Sequence, residues 1–213
     1  MTDIRPERAA RTRTALLNAG FELMADSSVE AIPIDTLIST AGVGKGSFFN
    51  HFGDKEGFKA AVAMEIRGEI EAKIGKANEN VTDPLERLAG GMREVTNYAL
   101  SHRSRTLAML RMTAGATTSD YPLNDGVVAD VDACLEVGRI RAESSEMAML
   151  YWLGLCVALV TFVVENDLSR EQAANRLREM LLLALIGLGV PRPKAGRLAE
   201  SSAKRLSNHA VLL

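Results

Sequence analysis

Between Ala41 and Phe58 the sequence AGVGKGSFFNHFGDKEGF gathers four side chains able to make directed polar contacts: Lys45, Ser47, Asn50 and His51. A lysine can donate to guanine O6 or N7, an asparagine can pair with adenine N6 and N7, and a serine can bond to a base or a phosphate. His51 donates to phosphate in either charge state. Gly42 precedes the four in a tight turn, and Phe52 follows them as an apolar anchor. A helix-turn-helix has this order: polar side chains offered to a groove, hydrophobic side turned inward.

The elements that would position these residues read as helices throughout. Apolar residues recur at three- and four-residue spacing and no segment sustains strict alternation, so the expected class is all-α with about nine helices. The first runs from Glu7 to Ala25, with Leu16, Ala19 and Leu23 on its apolar face beside Leu17, Phe21 and Met24. Pro33 opens a short helix over Ile34 to Thr40, Gly42 stops it, and Lys45 to Phe52 forms the third. Asp54 caps a fourth that extends to Ala77. Asp83-Pro84-Leu85-Glu86 has the pattern of a cap, a first-turn proline and a capping box for a fifth, ending near Ser101. Shorter helices are expected over Arg103 to Ala114 and Asp125 to Val137, separated by a loop containing Pro122. Ser169 and Gln172 form a further capping box for a helix that Gly187, Gly189 and Pro191 close. Residues 1–53 then make a helix-turn-helix domain and 54–190 a larger helical domain. Residues 191–213, poor in pattern, read as a flexible basic tail.

Composition excludes several classes. The two cysteines, Cys134 and Cys156, have neither CxxC nor Cys/His spacing, which argues against a disulfide framework and a zinc site. With no second ligand at helical spacing, His102 and His209 are not expected to bind metal, and no cofactor is expected. The polar, Arg-rich start is unlike a signal peptide, so a reduced cytoplasmic setting is expected. Net charge is −2, and the first 60 residues carry seven basic and eight acidic groups, so nucleic-acid contact would need local placement rather than bulk charge. Both chain ends are basic.

Met147 to Val164 is long and apolar enough to raise a membrane span. Tyr151, Gly154 and Thr161 interrupt it, and Glu146 and Glu165 bracket it with acid rather than Lys or Arg. A helix apolar all round also serves a protein whose one face meets its own core and the other a partner subunit. No membrane association is expected. Together with the stripe Ala173, Leu177, Leu181, Ala184, Leu185 and Leu188, the segment within 147–188 reads as a homodimer interface, a four-helix bundle built by two subunits.

Arg11 to Phe58 resembles the N-terminal domain of the TetR family of transcriptional regulators. The family pattern appears as Ile34, Leu37, Ile38, Ala41, Gly42, Val43, Gly46, Phe49, Phe52, Lys55 and Phe58 at matching offsets. The chain departs from it at Pro33 (usually threonine), Ser28 (glycine), Gly44 (serine) and Phe49 (tyrosine). The last change removes a hydroxyl that in the family commonly reaches a phosphate, and a modest loss of affinity is expected from it.

The resemblance implies that Lys45, Gly46, Ser47, Phe49, Asn50 and His51 face double-stranded DNA and that Lys55 meets its backbone. Gly46 would let the backbone approach closely. Thr36, at the start of the second helix, would sit beside phosphates, and Arg5, Arg8 and Arg11 would reach the flanking backbone or minor groove. It further implies a ligand-binding and dimerisation domain, with a small-molecule pocket whose occupation alters the spacing of two DNA-binding heads. Met109, Met112, Tyr121, Trp152, Cys156 and Phe162 would line it, although Met and aromatic residues at this spacing also build plain cores. Few charges fall there beyond Arg111 and Glu165, so an apolar or weakly polar effector is expected.

The leading reading is a ligand-responsive homodimeric repressor on a palindromic operator. A second is a regulator of the same fold without an effector, or an activator. A third, a Cys or His hydrolase, finds no nucleophile, base and orienter in a recognisable set, and no enzyme is expected.

Overall fold

The computed structural model describes residues 4–24, 27–111 and 124–208. Among them lie ten α-helices, α1 (Ile4–Leu23), α2 (Ile34–Ala41), α3 (Lys45–Phe52), α4 (Lys55–Asn78), α5 (Pro84–Ser101), α6 (Arg103–Arg111), α7 (Asp125–Glu136), α8 (Ser145–Glu165), α9 (Arg170–Gly187) and α10 (Arg192–Asn208), with one 3-10 turn at Val29–Ala31. No strand occurs among the described residues.

Two compact units divide the chain: residues 1–67 with 103–113, and residues 68–102 with 114–213. The division falls within α4, not before it as the sequence suggested. The reason is aromatic packing. Phe58, in the first half of α4, is fully buried against Phe48 and Phe52 of α3, with ring centroids 5.6 and 5.0 Å away. The start of α4 is therefore core to the N-terminal unit, which also takes in α6. Leu16, Leu17 and Phe21 of α1, Met24 just after it, and Leu37 and Ile38 of α2 complete that core.

In the second unit α5 packs on α7, α8, α9 and α10. Its start is capped as expected by Asp83, whose carboxylate accepts the Leu85 N–H at 3.0 Å with Pro84 in the first turn. The reciprocal bond of Glu86 is not formed, so this is a simple cap, whereas Ser169 and Gln172 do close a full capping box on α9. Asp83 also accepts from Lys194 of α10 at 3.1 Å and lies 3.9 Å from Arg139. Burial alone would raise its pKa, but the Leu85 N–H and the two cations outweigh burial and hold the carboxyl below its ordinary 3.8.

Residues 192–208, expected to fray, are instead the helix α10. It buries Ala195, Ala199, Ser202, Ala203 and Leu206, mainly against α9. Its buried stripe consists mostly of alanine and serine, which contribute little apolar signal yet let two helices approach closely.

By length and composition α8 could cross a bilayer. It has two distinct sides. Ala148, Met149, Trp152, Leu159, Val160, Val163 and Val164 are buried, while Met147, Leu150, Tyr151, Val157 and Phe162 are exposed. On α9, Leu183 and Ile186 are exposed too, and the Tyr151 hydroxyl reaches the Leu183 carbonyl at 3.4 Å. The two helices thus share one uncovered apolar surface.

Candidate DNA-binding site

The site is built by the turn between α2 and α3. Gly42 takes the left-handed conformation (φ 66°) that a side chain adopts only at a cost. Its N–H bonds the Ser39 carbonyl and the Val43 N–H bonds that of Ile38, both at 3.2 Å, a paired closure that ends α2 and aims α3 away from it. Gly44 then precedes α3 in an extended conformation, and its first turn receives no side-chain cap.

Eight residues of α3 divide by face. Phe48 and Phe52 point inward, their rings 5.5 Å apart, and fix the helix on the aromatic cluster with Phe58. Lys45, Gly46, Phe49 and Asn50 are exposed on the other side, with Ser47 and His51 half-buried at its margins. Phe49 is 43% exposed although its edge touches Phe48, so a large aromatic face is left bare at the place where the family usually carries tyrosine. Thr36 is exposed in the first turn of α2, and Lys55 is half-buried at the start of α4. Arg8 and Arg11 are exposed on α1, Arg11 lying 3.6 Å from Glu7. The Arg5 side chain lies outside the described residues.

One participant was missed in the sequence. Asp35, in the first turn of α2, accepts a hydrogen bond from Lys45 Nζ at 2.8 Å. An acid and a base ten positions apart follow no helical spacing; the turn at Gly42 brings them together.

The described residues expected to line an effector pocket come from both units. Met109 is half-buried on α6, in the N-terminal unit, whereas the three on α8 belong to the other. Trp152 is buried, Cys156 half-buried, and Phe162 lies on the uncovered side, 45% exposed, with the Arg176 guanidinium 5.9 Å from its ring centroid. Phe162 is therefore a surface residue in this chain: ten positions on from Trp152, it stands about 80° around α8 from it, beyond the margin of the covered side. Met112 and Tyr121 lie outside the described residues. Burial pushes the Cys134 thiol up to about 12, with the nearby Asp130 and Asp83 carboxylates adding to the effect, so it is fully protonated at neutral pH and unfit as a nucleophile.

Residues 16–62, which contain the whole α2-turn-α3 unit and the aromatic cluster, match the model of the bacterial regulatory proteins of the TetR family. The N-terminal unit is thus similar to the DNA-binding part of the TetR family of transcriptional regulators. It is similar to the HTH-type transcriptional repressor KstR2 of Mycolicibacterium smegmatis, at 26% identity over 57% of this chain and 58% of that protein. It is also similar to the A-factor receptor protein of Streptomyces griseus, at 28% identity over 81% of this chain and 62% of that one. The chain thus spans less than two thirds of the length of either curated relative. Among solved TetR-like folds, a γ-butyrolactone receptor superposes with a TM-score of 0.64 at 19% identity, covering 95% of this chain and 98% of its own. RolR in complex with resorcinol gives 0.64 at 22%, covering 91% and 95%. At these identities the likeness shows the fold.

Proposed function

We propose that this chain is a TetR family regulator, a homodimeric repressor that binds a palindromic operator through α3 and releases it when a small apolar or weakly polar molecule binds the second unit. The observation that carries the reading is the division of α3, with Lys45, Gly46, Phe49 and Asn50 exposed over a rigid aromatic base. In this reading Lys45 and Asn50 read base edges, Ser47 and His51 bond to base or phosphate, and Phe49 packs on the sugar-phosphate edge. Thr36, Lys55, Arg5, Arg8 and Arg11 hold the backbone.

Dimerisation through the segment within 147–188 is supported by the exposed apolar residues on both α8 and α9, a surface larger than scattered solvent-facing side chains provide. A two-fold axis there would repeat the site, so half-sites fall about one helical turn apart, roughly 34 Å, or a little more. Effector control is supported by the curated relatives, one a repressor and one a receptor. Trp152 and Cys156, one turn apart on α8, are proposed as part of the effector wall. The effector would act through its differential affinity for DNA-binding and released states.

Footprinting of the DNA upstream of the chain's own gene tests the reading. Two protected half-sites related by a dyad support it, whereas a single asymmetric footprint contradicts the dimeric palindrome.

A further inference from the structure

A cavity of about 360 Å³ opens in the second unit where the end of α4, the middle of α5 and the end of α10 meet. Its wall carries Arg93, Glu94 and Asn97 from α5, Arg205 and Leu206 from α10, and Ala77 from α4. Arg93 and Glu94 are each only 9% exposed, and their ion pair runs from Arg93 Nε to Glu94 Oε1 at 3.0 Å. Among the described residues this is the single hydrogen bond made by the Arg93 guanidinium, and its two Nη groups meet no acceptor among them.

Such an arrangement is costly unless something else uses it. Two charges are withdrawn from water, and one bond between neighbours on a helix repays little of their desolvation. The neighbouring Asn97 is pre-oriented. Its Oδ1 accepts from Arg170 Nη1 at 2.8 Å, while Arg170 also donates to the Leu206 carbonyl at 3.3 Å. With the amide oxygen so engaged, the Asn97 amide nitrogen remains to donate. The cavity therefore offers a guanidinium fork, a second guanidinium on Arg205, an amide donor and one free carboxylate acceptor on Glu94. A planar carboxylate matches the fork. Two arginines against one glutamate favour a ligand of net negative charge over a zwitterion, and the Glu94 oxygen suits a hydroxyl donor beside that carboxylate.

We infer that the cavity between α4, α5 and α10 binds a small hydroxycarboxylate, with Arg93 and Arg205 on its carboxylate and Glu94 on its hydroxyl. This site is separate from the effector wall proposed on α8 and does not depend on it. The ligand would bridge α5 to α10.

Isothermal titration of the full chain with mandelate, phenylacetate and mandelamide at one ionic strength tests the assignment, since the three probes share a ring and differ in the polar groups. Saturable binding of mandelate, weaker binding of phenylacetate and none of mandelamide is expected. The Arg93→Gln/Glu94→Gln double variant, which removes both buried charges together, should lose about tenfold or more in mandelate affinity, as expected when a charge-assisted pair is removed. Arg205→Gln, at an exposed position on α10, should weaken it several-fold and decides the matter where the double variant does not fold. No saturable mandelate binding, equal binding of mandelamide, or affinity unchanged in the variants would overturn the inference.

Discussion

Lys45 Nζ lies 2.8 Å from Asp35 Oδ1, so the first residue of α3 is tied to the first turn of α2 across the Gly42 turn. Both side chains are largely exposed, and a surface pair of this kind adds little to folding. In the proposed reading its consequence is for binding: Lys45 would reach DNA only by leaving or sharing Asp35, and an acid would sit at the edge of a surface that meets phosphates. Asp35→Asn should therefore strengthen binding to all sequences by about threefold to tenfold at low salt and steepen the salt dependence by about one released ion. Fluorescence anisotropy at several salt concentrations reads both quantities. An unchanged salt slope would show that the pair does not restrain Lys45.

The aromatic cluster that carries α3 has no slack on the α1 side. A Cβ placed on Gly20 would lie 2.5 Å from Phe58 Cζ, and that ring is boxed by Phe48 and Phe52. Gly20→Ala is expected to destabilise the N-terminal unit by about 1 to 3 kcal/mol, the cost of overpacking a filled core. Urea unfolding monitored by circular dichroism measures it, and a neutral result would mean that α1 can shift away from α4.

Local signals made the N-terminal unit legible in the sequence. Gly42, Phe48, Phe52 and Phe58 act within a few residues of one another, and the Ser169 and Gln172 box marks its helix unaided. What was not legible depends on distant partners. The α10 stripe of Ala195, Ala199 and Ser202 gains meaning only against α9, and its Arg and Lys content resembles a solvated tail. Asp35 meets Lys45 through a turn rather than along a helix. Arg93 and Arg205 share a cavity only because α10 returns to α5. The exposure of Phe162 could not be read because an apolar run looks uniform, and only the packing of α8 shows which side is covered.

Asp83 ties the start of α5 to α10 and to Arg139, and its depressed pKa gives a pH signature. A carboxyl held below its ordinary value contributes its full stabilisation above about 3.8, and that contribution is lost as pH falls through the lower folded-state value. Asp83→Asn should be less stable than the wild type by about 1 kcal/mol or more at pH 7, given the loss of charge-assisted bonds. The gap should persist to about pH 4 and close only under more acidic conditions. Urea midpoints across this range test it; a gap that closes already near pH 6 would assign the effect to another group.

The uncovered surface of α8 and α9 should be where two copies meet. Phe162→Glu or Leu183→Glu, both at exposed positions, should leave the helical content of each chain intact and shift the protein from dimer to monomer in analytical ultracentrifugation. Dimers that persist in both variants would move the interface elsewhere.

Operator binding itself is tested most directly by anisotropy titration of the DNA upstream of the chain's own gene, against random duplex of equal length, for wild type, Asn50→Ala and Lys55→Ala. A specific complex with a steep negative salt slope is predicted, with Asn50→Ala losing about 1 to 3 kcal/mol of discrimination at one base pair per half-site and Lys55→Ala weakening all sequences alike. No preference for that DNA over random duplex at physiological salt, or an Asn50→Ala variant that discriminates as well as the wild type, would contradict the account.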